Sequence, residues 1–177
     1  MAMYKRKFVD LKYHPRERRR ALILACLLFW SIISYLVISH YVLGGTEVVG
    51  DSMLPTLHNG DRYVIERFAY LLRQPARGEI VALQVPRWDD LTVKRIIAYP
   101  SEYVQFRHGQ VLVNGQALPE PYLPHGTLTR AGDLSTNVYM VEPGCYFVLG
   151  DNRSNSCDSR FFGAVRRDWI VGRIAGL

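Results

Sequence analysis

Ser52 has a setting in which a serine can act as a nucleophile. It lies in the stretch VVGDSMLPTL (48–57), where two β-branched residues run into a Gly-Asp turn. Serine is common in such turns, so the residue type alone favours a structural role. A serine hydroxyl is a weak nucleophile until a neighbouring base takes its proton. If Ser52 does chemistry, the sequence must supply that base at another position.

Lys94 is the strongest candidate for the base. Residues 44–177 contain thirteen arginines and one lysine, and none of the chain's 5 histidines has a distinctive local context. Arginine keeps its proton near neutral pH, whereas a buried lysine can lose it. Only roughly 0.04% of an exposed lysine is neutral at pH 7, and burial raises that fraction by lowering the pKa. The alternative is an ordinary surface lysine.

The segment LTVKRIIAY around Lys94 indicates how its ammonium group would be buried. On a strand, Lys94 shares a face with Thr92, Ile96 and Ala98, while Arg95 points to the opposite face. If the face with Ile96 and Ala98 is the inner one, Lys94 is removed from water. Apolar residues also occupy the other face, so the alternation leaves both orientations open.

A polar loop, LGDNRSNSCDSRFFG (149–163), follows the apolar segment CYFVL. A calcium loop is disfavoured because Arg153 stands where a second ligand is needed and no glutamate follows at the twelfth position. A loop built from Asx turns is the structural alternative. The functional interpretation is a side-chain network that orients the base and supports the site. Its candidate members are Asp151, Arg153, Asp158 and Arg160, which can pair, and Ser156, which can hydrogen-bond an amine.

Predicted β-strands must position these residues. Gly, Pro, Asn and Asp turns separate the strand candidates, which are RYVIERFAY, EIVALQV, LTVKRIIAY, EYVQFRHGQVLVNGQAL, YMVEPGCYFVLG and DWIVGRIAG. Asn114-Gly115 predicts a type I′ hairpin. RFAYLLR (67–73) is a candidate for a short helical turn, and residues 118–136, rich in Pro and Gly, are expected to form an extended loop excursion. The fold class is therefore mostly β after residue 44.

The beginning of the chain predicts a membrane anchor. Residues 21–43 contain no Asp, Glu, Lys or Arg, and as a helix they would be roughly 34 Å long. Residues 1–20 contain eight basic and two acidic residues, which predicts a cytoplasmic tail and an exported domain over 44–177. One alternative is a buried helix of a soluble protein. A cleaved signal peptide is the other, disfavoured by the length of the apolar run and the lack of a clear small-x-small site.

The net charge of +6 does not indicate nucleic acid binding. Residues 44–177 carry fourteen basic and fourteen acidic residues, so the exported part has no excess charge with which to bind phosphates. No His or Cys cluster has metal-ligand spacing, and no metal or other cofactor is expected. Cys145 and Cys157 lie in the exported part, where a disulfide and two free thiols are both open possibilities.

Four stretches together resemble the type I signal peptidase (leader peptidase) family. They are GDSMLPTL (50–57), RGEIVAL (77–83), TVKRIIAYP (92–100) and GDNRSNSCDSRFFG (150–163), in the family's order and with the anchor in the expected place. The last stretch is the most specific of the four. The resemblance covers most of residues 44–177 and implies a fold of coiled antiparallel β-sheets.

The resemblance also implies a role for each candidate residue. Ser52 would attack the scissile carbonyl, its backbone N–H would help form the oxyanion hole, and Lys94 would be the general base. Ser156 would hydrogen-bond Lys94 and position it, while Met53 and Pro55 would shape the turn and the floor of the cleft. Structural support would come from Asp151, Arg153, Asp158 and Arg160.

The implied protein is a membrane-bound serine endopeptidase that needs no cofactor. Its substrates would be secretory preproteins with small residues at the −1 and −3 positions before the cut. It would lie in the bacterial cytoplasmic membrane with the catalytic domain on the outer face. One alternative is a related peptidase dedicated to a conjugation or pilus subunit. Another is an inactive, membrane-anchored binding module with the same fold.

Two positions depart from the family pattern. Some members carry a hydroxyl residue two positions before the nucleophile, where this chain has Gly50. Oxyanion donation would then fall to the backbone and water. Members often have Gly-Asp after the proline of the lysine stretch, and here Ser101-Glu102 follows Pro100. That difference puts the predicted turn in question but leaves the Ser52–Lys94 pair intact.

Overall fold

The computed structural model describes residues 15–42, 45–86, 88, 90–133 and 137–175. The chain divides into two units, residues 1–40 and residues 41–177.

A long apolar helix dominates the first unit. This helix, α1, spans Pro15–Val42, and its stretch Arg16–Val37 is long and apolar enough to cross a membrane, with none of it buried. The helix begins six residues before the predicted start at residue 21. Proline suits the first turn of a helix and arginine is a good helix former, so the basic segment joins the helix.

The described residues of the second unit form eleven strands. They are β1 (Gly45–Glu47), β2 (Arg62–Glu66), β3 (Ile80–Leu83), β4 (Thr92–Ala98), β5 (Tyr103–Arg107), β6 (Gln110–Val113), β7 (Gln116–Ala117), β8 (Val138–Met140), β9 (Cys145–Leu149), β10 (Val165–Arg166) and β11 (Ile170–Ala175). A short helix, α2, spans Ser159–Phe162, and 3₁₀ turns span Arg67–Tyr70 and Arg167–Trp169.

The strands form two antiparallel sheets, which confirms the predicted fold class. The larger sheet has seven strands in the order β1-β2-β11-β3-β4-β9-β10, and the smaller has four in the order β7-β6-β5-β8. Strand β4 lies inside the larger sheet, with Val81 of β3 opposite Lys94 and Leu149 of β9 opposite Arg95. The strand that carries the candidate base is therefore held on both edges by backbone hydrogen bonds.

Two tight turns with positive φ angles join consecutive strands of the smaller sheet. Asn114 and Gly115 have φ values of 51° and 80°, and they form the predicted hairpin between β6 and β7. His108 and Gly109 have φ values of 51° and 77° and join β5 to β6. The sequence-based prediction of one continuous strand candidate over this region missed the second turn, because histidine is a less common left-handed residue than asparagine or glycine.

Two short elements and one loop complete the second unit. The predicted helical turn is confirmed over Arg67–Tyr70 as a 3₁₀ turn. Helix α2 was not predicted, since four residues are too few to show a helical period; the Asp158 side chain caps it. Residues 118–133 contain no helix or strand, as expected, but the loop packs onto the domain, because Thr129 is only 2% exposed.

Strand β4 is buried on both faces. Val93 packs in one apolar cluster and Ile96 in another, and Ile97 and Ala98 are buried beyond an irregularity in the pairing with β9. Ile97 and Ala98 pack in one apolar cluster with residues from both sheets, including Phe106. Because both faces are covered, the strand alternation alone left the direction of Lys94 open.

Candidate active site

The side chains of Ser52 and Lys94 meet, as predicted. Lys94 Nζ donates a hydrogen bond to Ser52 Oγ at 2.9 Å. Lys94 is only 2% exposed, whereas Ser52 is half-buried. A base in contact with a hydroxyl that remains accessible is the arrangement that nucleophilic catalysis requires.

Apolar anchors on the C-terminal side of Ser52 hold it in its turn. Met53 and Leu57 are each 1% exposed and belong to the same core cluster, and the Leu57 N–H donates to the Met53 carbonyl at 3.0 Å. On the other side, Gly50 has a φ of 93° and its N–H donates to the Asn59 side chain at 3.0 Å. Glycine reaches this φ without the strain that a side chain causes.

Burial alters the chemistry of Lys94. Removal from water lowers the pKa of Lys94 from 10.5 to about 8, and Arg160 acts in the same direction, whereas Asp158, Cys157 and Asp151 oppose the shift. At a pKa of about 8, roughly a tenth of the amine is neutral at pH 7. Among the described residues, Lys94 has no ion pair with a carboxylate. The site therefore supplies a lysine able to accept a proton.

The predicted hydrogen bond between Ser156 and Lys94 is not formed. The Ser156 Oγ is buried and has no hydrogen-bond partner in the described structure. Lys94 Nζ donates instead to Thr92 Oγ1 at 3.2 Å and to the Val93 carbonyl at 3.0 Å. The expected contact is replaced because the amine already has three acceptors from its own strand and from Ser52. Strand alternation placed Thr92 on the face of Lys94, but nothing in the sequence indicated this hydrogen bond.

A close approach at Gly150 joins the polar loop to the nucleophile turn. A Cβ at Gly150 would lie 2.1 Å from Ser156 Oγ and 2.5 Å from the Ser52 carbonyl oxygen. The backbone N–H of Asn152 donates to that same carbonyl at 3.1 Å, and its side chain donates to the Asp51 carbonyl at 3.0 Å. Only glycine permits this packing, so the loop fixes the backbone of Ser52 directly.

The ion pairs of the polar loop differ in part from the predicted ones. Asp158 pairs with Arg160 at 2.8 Å, which keeps the pairing within the loop. Asp151 instead pairs with Arg95 of β4, and its carboxylate also accepts from the Thr56 hydroxyl. The sequence does not indicate that the partner of Asp151 lies on β4, 56 positions away in the chain.

Arg153 ties the polar loop to the excursion over residues 118–133. Its guanidinium pairs with Glu120, donates to Thr129 Oγ1 at 2.6 Å, and donates to the Gly150 carbonyl at 3.0 Å. The excursion contributes a second contact, since the Arg95 guanidinium lies 3.9 Å from the centre of the Tyr122 ring. The excursion therefore contacts the site through polar side chains, which its composition did not indicate.

The two residues predicted to shape the cleft have different positions. Met53 lies in the core rather than on a cleft surface. Pro55 is exposed and follows a cis peptide bond. It lines a cavity of about 410 Å³ together with Leu128 and Asn152. Pro55 therefore borders an open space beside the nucleophile turn, and Met53 supports that turn from below.

The Ser52 N–H is available for an oxyanion. None of the hydrogen bonds between described residues uses this N–H, whereas the Gly50 N–H is taken by Asn59. Gly50 itself has no side chain to donate. A free backbone N–H beside the attacking hydroxyl is a donor of the kind that oxyanion holes use.

The turn after β4 is retained despite its altered sequence. Ser101 adopts a φ of 65°, the left-handed conformation in which glycine is favoured. Glu102 accepts the Tyr99 N–H at 2.7 Å and pairs with Arg77 at 2.8 Å. The carboxylate of Glu102 therefore closes this turn. Elsewhere in the domain, Cys145 and Cys157 are both free thiols, so no disulfide joins them.

Comparison with known proteins gives a consistent result. The family model described as "Signal peptidase, peptidase S26" matches residues 19–176. A signal peptidase I of Leptolyngbya laminosa is 36% identical over 151 residues, which are 81% of this chain and 72% of that protein. A signal peptidase I of Bacillus caldolyticus is 38% identical over 145 residues, which are 76% of this chain and 78% of that protein.

A solved structure is similar as well. It is a signal peptidase I from Enterococcus faecalis V583, with a TM-score of 0.50 and 34% sequence identity. The match covers 58% of this chain and 98% of that one.

Proposed function

The chain belongs to the signal peptidase family, peptidase S26, and we propose that Ser52 is its nucleophile and Lys94 the general base. As a member of this family it is a serine endopeptidase that removes signal peptides. Its apolar helix makes it a single-pass membrane protein. The observation that carries the assignment of residues is the 2.9 Å hydrogen bond between Lys94 Nζ and Ser52 Oγ.

The proposed reaction begins with proton transfer. Neutral Lys94 takes the hydroxyl proton as Ser52 Oγ attacks the scissile carbonyl, and the N–H of Ser52 stabilises the developing oxyanion. A donor of this kind typically lowers the barrier by about 2.7–4 kcal/mol. Collapse of the tetrahedral intermediate breaks the C–N bond, and the Lys94 ammonium returns its proton to the leaving amine. The product is an acyl-enzyme on Ser52.

Hydrolysis of the acyl-enzyme uses the same residues. Lys94 is neutral again after the leaving amine has departed, so it can take a proton from a water molecule that attacks the ester. The Ser52 Oγ leaves with the proton that Lys94 returns. Both half-reactions require a base that cycles between two protonation states near neutral pH, and the lowered pKa of Lys94 suits that task.

Substrate and orientation are part of the proposal. The substrates are secretory preproteins with small residues at the −1 and −3 positions before the cut. The eight basic residues within residues 1–20 favour a cytoplasmic N-terminus. The catalytic domain then lies on the outer face of the bacterial cytoplasmic membrane, where a signal peptide emerges. Asp151, Arg153, Asp158 and Arg160 are proposed to support the site.

The test is cleavage of a preprotein by the detergent-solubilised chain, with the cut mapped by mass spectrometry. Ser52→Ala removes the nucleophile, and Lys94→Arg keeps the positive charge but cannot lose a proton. Each is expected to lower cleavage by about a thousandfold or more. Ser101→Gly is the control, because it removes an exposed hydroxyl at a φ of 65° that glycine adopts freely.

Two results would contradict the proposal. Full cleavage by the folded Lys94→Arg variant would exclude Lys94 as the base, and full cleavage by Ser52→Ala would exclude Ser52 as the nucleophile. Circular dichroism of each variant establishes that it is folded. Cleavage of a panel of unrelated preproteins measures the range of substrates. A peptidase dedicated to one subunit would leave most of them uncut.

A further inference from the structure

Lys94 Nζ has three hydrogen-bond acceptors around it. They are Ser52 Oγ at 2.9 Å, the Val93 carbonyl at 3.0 Å and Thr92 Oγ1 at 3.2 Å. A protonated lysine has three N–H groups, so this arrangement satisfies each of them. The three distances therefore assign one acceptor to each N–H of the ammonium form.

The neutral amine needs a different distribution. After loss of one proton it has two N–H groups and one lone pair, and the lone pair must face the Ser52 hydroxyl for proton transfer to occur. The two remaining N–H groups then occupy the other two acceptors, the Val93 carbonyl and Thr92 Oγ1. If one of these acceptors is lost, the amine can rotate and place an N–H toward Ser52 instead.

We propose that Thr92 is a positioning residue, whose hydroxyl holds the neutral Lys94 amine with its lone pair directed at Ser52. The inference rests on the proposed roles of Ser52 and Lys94 and adds a third side chain to them. The acceptor at Val93 is a backbone carbonyl, which a substitution does not remove. The acceptor at Thr92 is a side-chain hydroxyl, so it can be tested by substitution.

The position of Thr92 suits this role. It is half-buried and lies two residues before Lys94 on β4, so both side chains project from the same face. Its backbone is held in register opposite Leu83 of β3. A β-branched side chain has restricted χ1 freedom, so the hydroxyl is held in place at a smaller entropic cost than a flexible side chain would incur.

Ser156, the other hydroxyl in this part of the site, does not perform this function in the observed arrangement. Its Oγ has no hydrogen-bond partner among the described residues and packs against the Gly150 backbone. The charged and titratable groups that act on Lys94 come from the polar loop, namely Asp151, Cys157, Asp158 and Arg160. None of them hydrogen-bonds Nζ in the described structure. They influence its charge, whereas Thr92 sets its direction.

The test is the pH profile of preprotein cleavage by the Thr92→Val full-length chain in detergent. Valine keeps the shape and the β-branch but cannot accept a hydrogen bond. Loss of one orienting hydrogen bond is expected to lower kcat about tenfold. A hydrogen bond from an ammonium is stronger than one from a neutral amine, so its loss lowers the pKa of Lys94. The acid limb should therefore move to lower pH by roughly half to one unit.

Two further variants of Thr92 sharpen this test. Thr92→Ser restores a hydroxyl and should recover most of kcat and the position of the acid limb. Thr92→Ala serves if the valine variant fails to fold, since it removes the same acceptor.

The inference is overturned by either of two results. One is a folded Thr92→Val or Thr92→Ala variant with the kcat and acid limb of the unmodified chain. The other is a loss of kcat without displacement of the acid limb, which would mean a purely structural role. Lys94→Arg is measured in parallel. If it retains cleavage, the proposed base itself is wrong; if it is inactive while Thr92→Val is unaffected, only the role of Thr92 is wrong.

Discussion

Lys94 and Arg95 are adjacent buried cations on β4, and their surroundings differ in one decisive respect. Arg95 pairs with Asp151 at 2.5 Å, donates to the Gly78 carbonyl at 2.6 Å, and stacks on Tyr122. Among the described residues, the acceptors of Lys94 are all neutral. One cation is neutralised by a carboxylate, while the other is buried without one.

The difference accounts for two roles on one strand. A carboxylate in contact stabilises the charged form, so Arg95 is a fixed cation that links β4 to the polar loop. Burial without such contact favours the neutral form, and the pKa of Lys94 falls to about 8. Arginine resists deprotonation, which suits a permanent ion pair, whereas lysine can lose its proton, which suits a base.

Asp151→Asn is expected to produce the largest effect, on the Arg95 side. The substitution leaves a buried guanidinium without its counter-charge, which typically lowers the free energy of unfolding by about 3–5 kcal/mol. Urea denaturation of the full chain in detergent measures it. Asp168→Asn is the matched control: its pair with Arg166 is more than half exposed, so a change below about 1 kcal/mol is expected. If the two substitutions lower the free energy of unfolding equally, the buried pair of Asp151 with Arg95 contributes no more to stability than an exposed ion pair.

Lys94→Met should have the opposite sign. Lowering the pKa from 10.5 to about 8 corresponds to a cost of about 3 kcal/mol at most for keeping the folded-state lysine charged. Methionine removes that cost, so the free energy of unfolding at pH 7 is expected to rise by about 1–3 kcal/mol while cleavage is lost. Arg95→Met, the same change one residue along, should instead destabilise the protein.

The pH dependence of that gain checks its cause. Below pH 8 both the folded and the unfolded protein hold the Lys94 proton, so the cost is fully present. Between about pH 8 and pH 10.5 only the unfolded form holds it, and stability of the unmodified chain rises with pH. The advantage of Lys94→Met should therefore disappear by about pH 10.5. A constant advantage across this range would assign the gain to packing instead.

The last prediction concerns the dependence of kcat/KM on pH. Because Lys94 must be neutral to act as a base, kcat/KM should rise about tenfold per pH unit up to about pH 8 and level off above it. Preprotein cleavage measured from about pH 6 to pH 9 tests this. A flat profile would show that Lys94 does not carry the titrating proton.

Much of the site was predictable because its signals are local. Lys94 was identified as the one lysine in a domain of arginines, and Ser52 became a candidate nucleophile through its combination with Lys94 and the polar loop. The fold class and the Asn114-Gly115 hairpin followed from strand composition and turn residues. The family resemblance supplied the order of the motifs and the role expected of each.

The remaining contacts are long-range or depend on rotamers. The partner of Asp151 lies 56 positions away, and that of Arg153 lies 33 positions away in the excursion. Pairing within the polar loop was predicted from proximity in sequence, and it proved correct only for Asp158. Lys94 Nζ donates to Thr92 Oγ1 and not to Ser156, which the resemblance had implied as its partner. A displacement of an ångström or two decides which hydroxyl an amine reaches.

The sequence by itself determined which chemistry is available: a serine, one lysine able to lose a proton, and an apolar anchor. These are properties of residue type and spacing, so no fold is needed to read them. Only the tertiary structure decided that β4 is buried on both faces and that, among the described residues, a carboxylate contacts Arg95 and none contacts Lys94. Desolvation and pairing depend on atoms from strands and loops far apart in the chain. Through them, folding makes Lys94 a candidate base and Arg95 a structural cation.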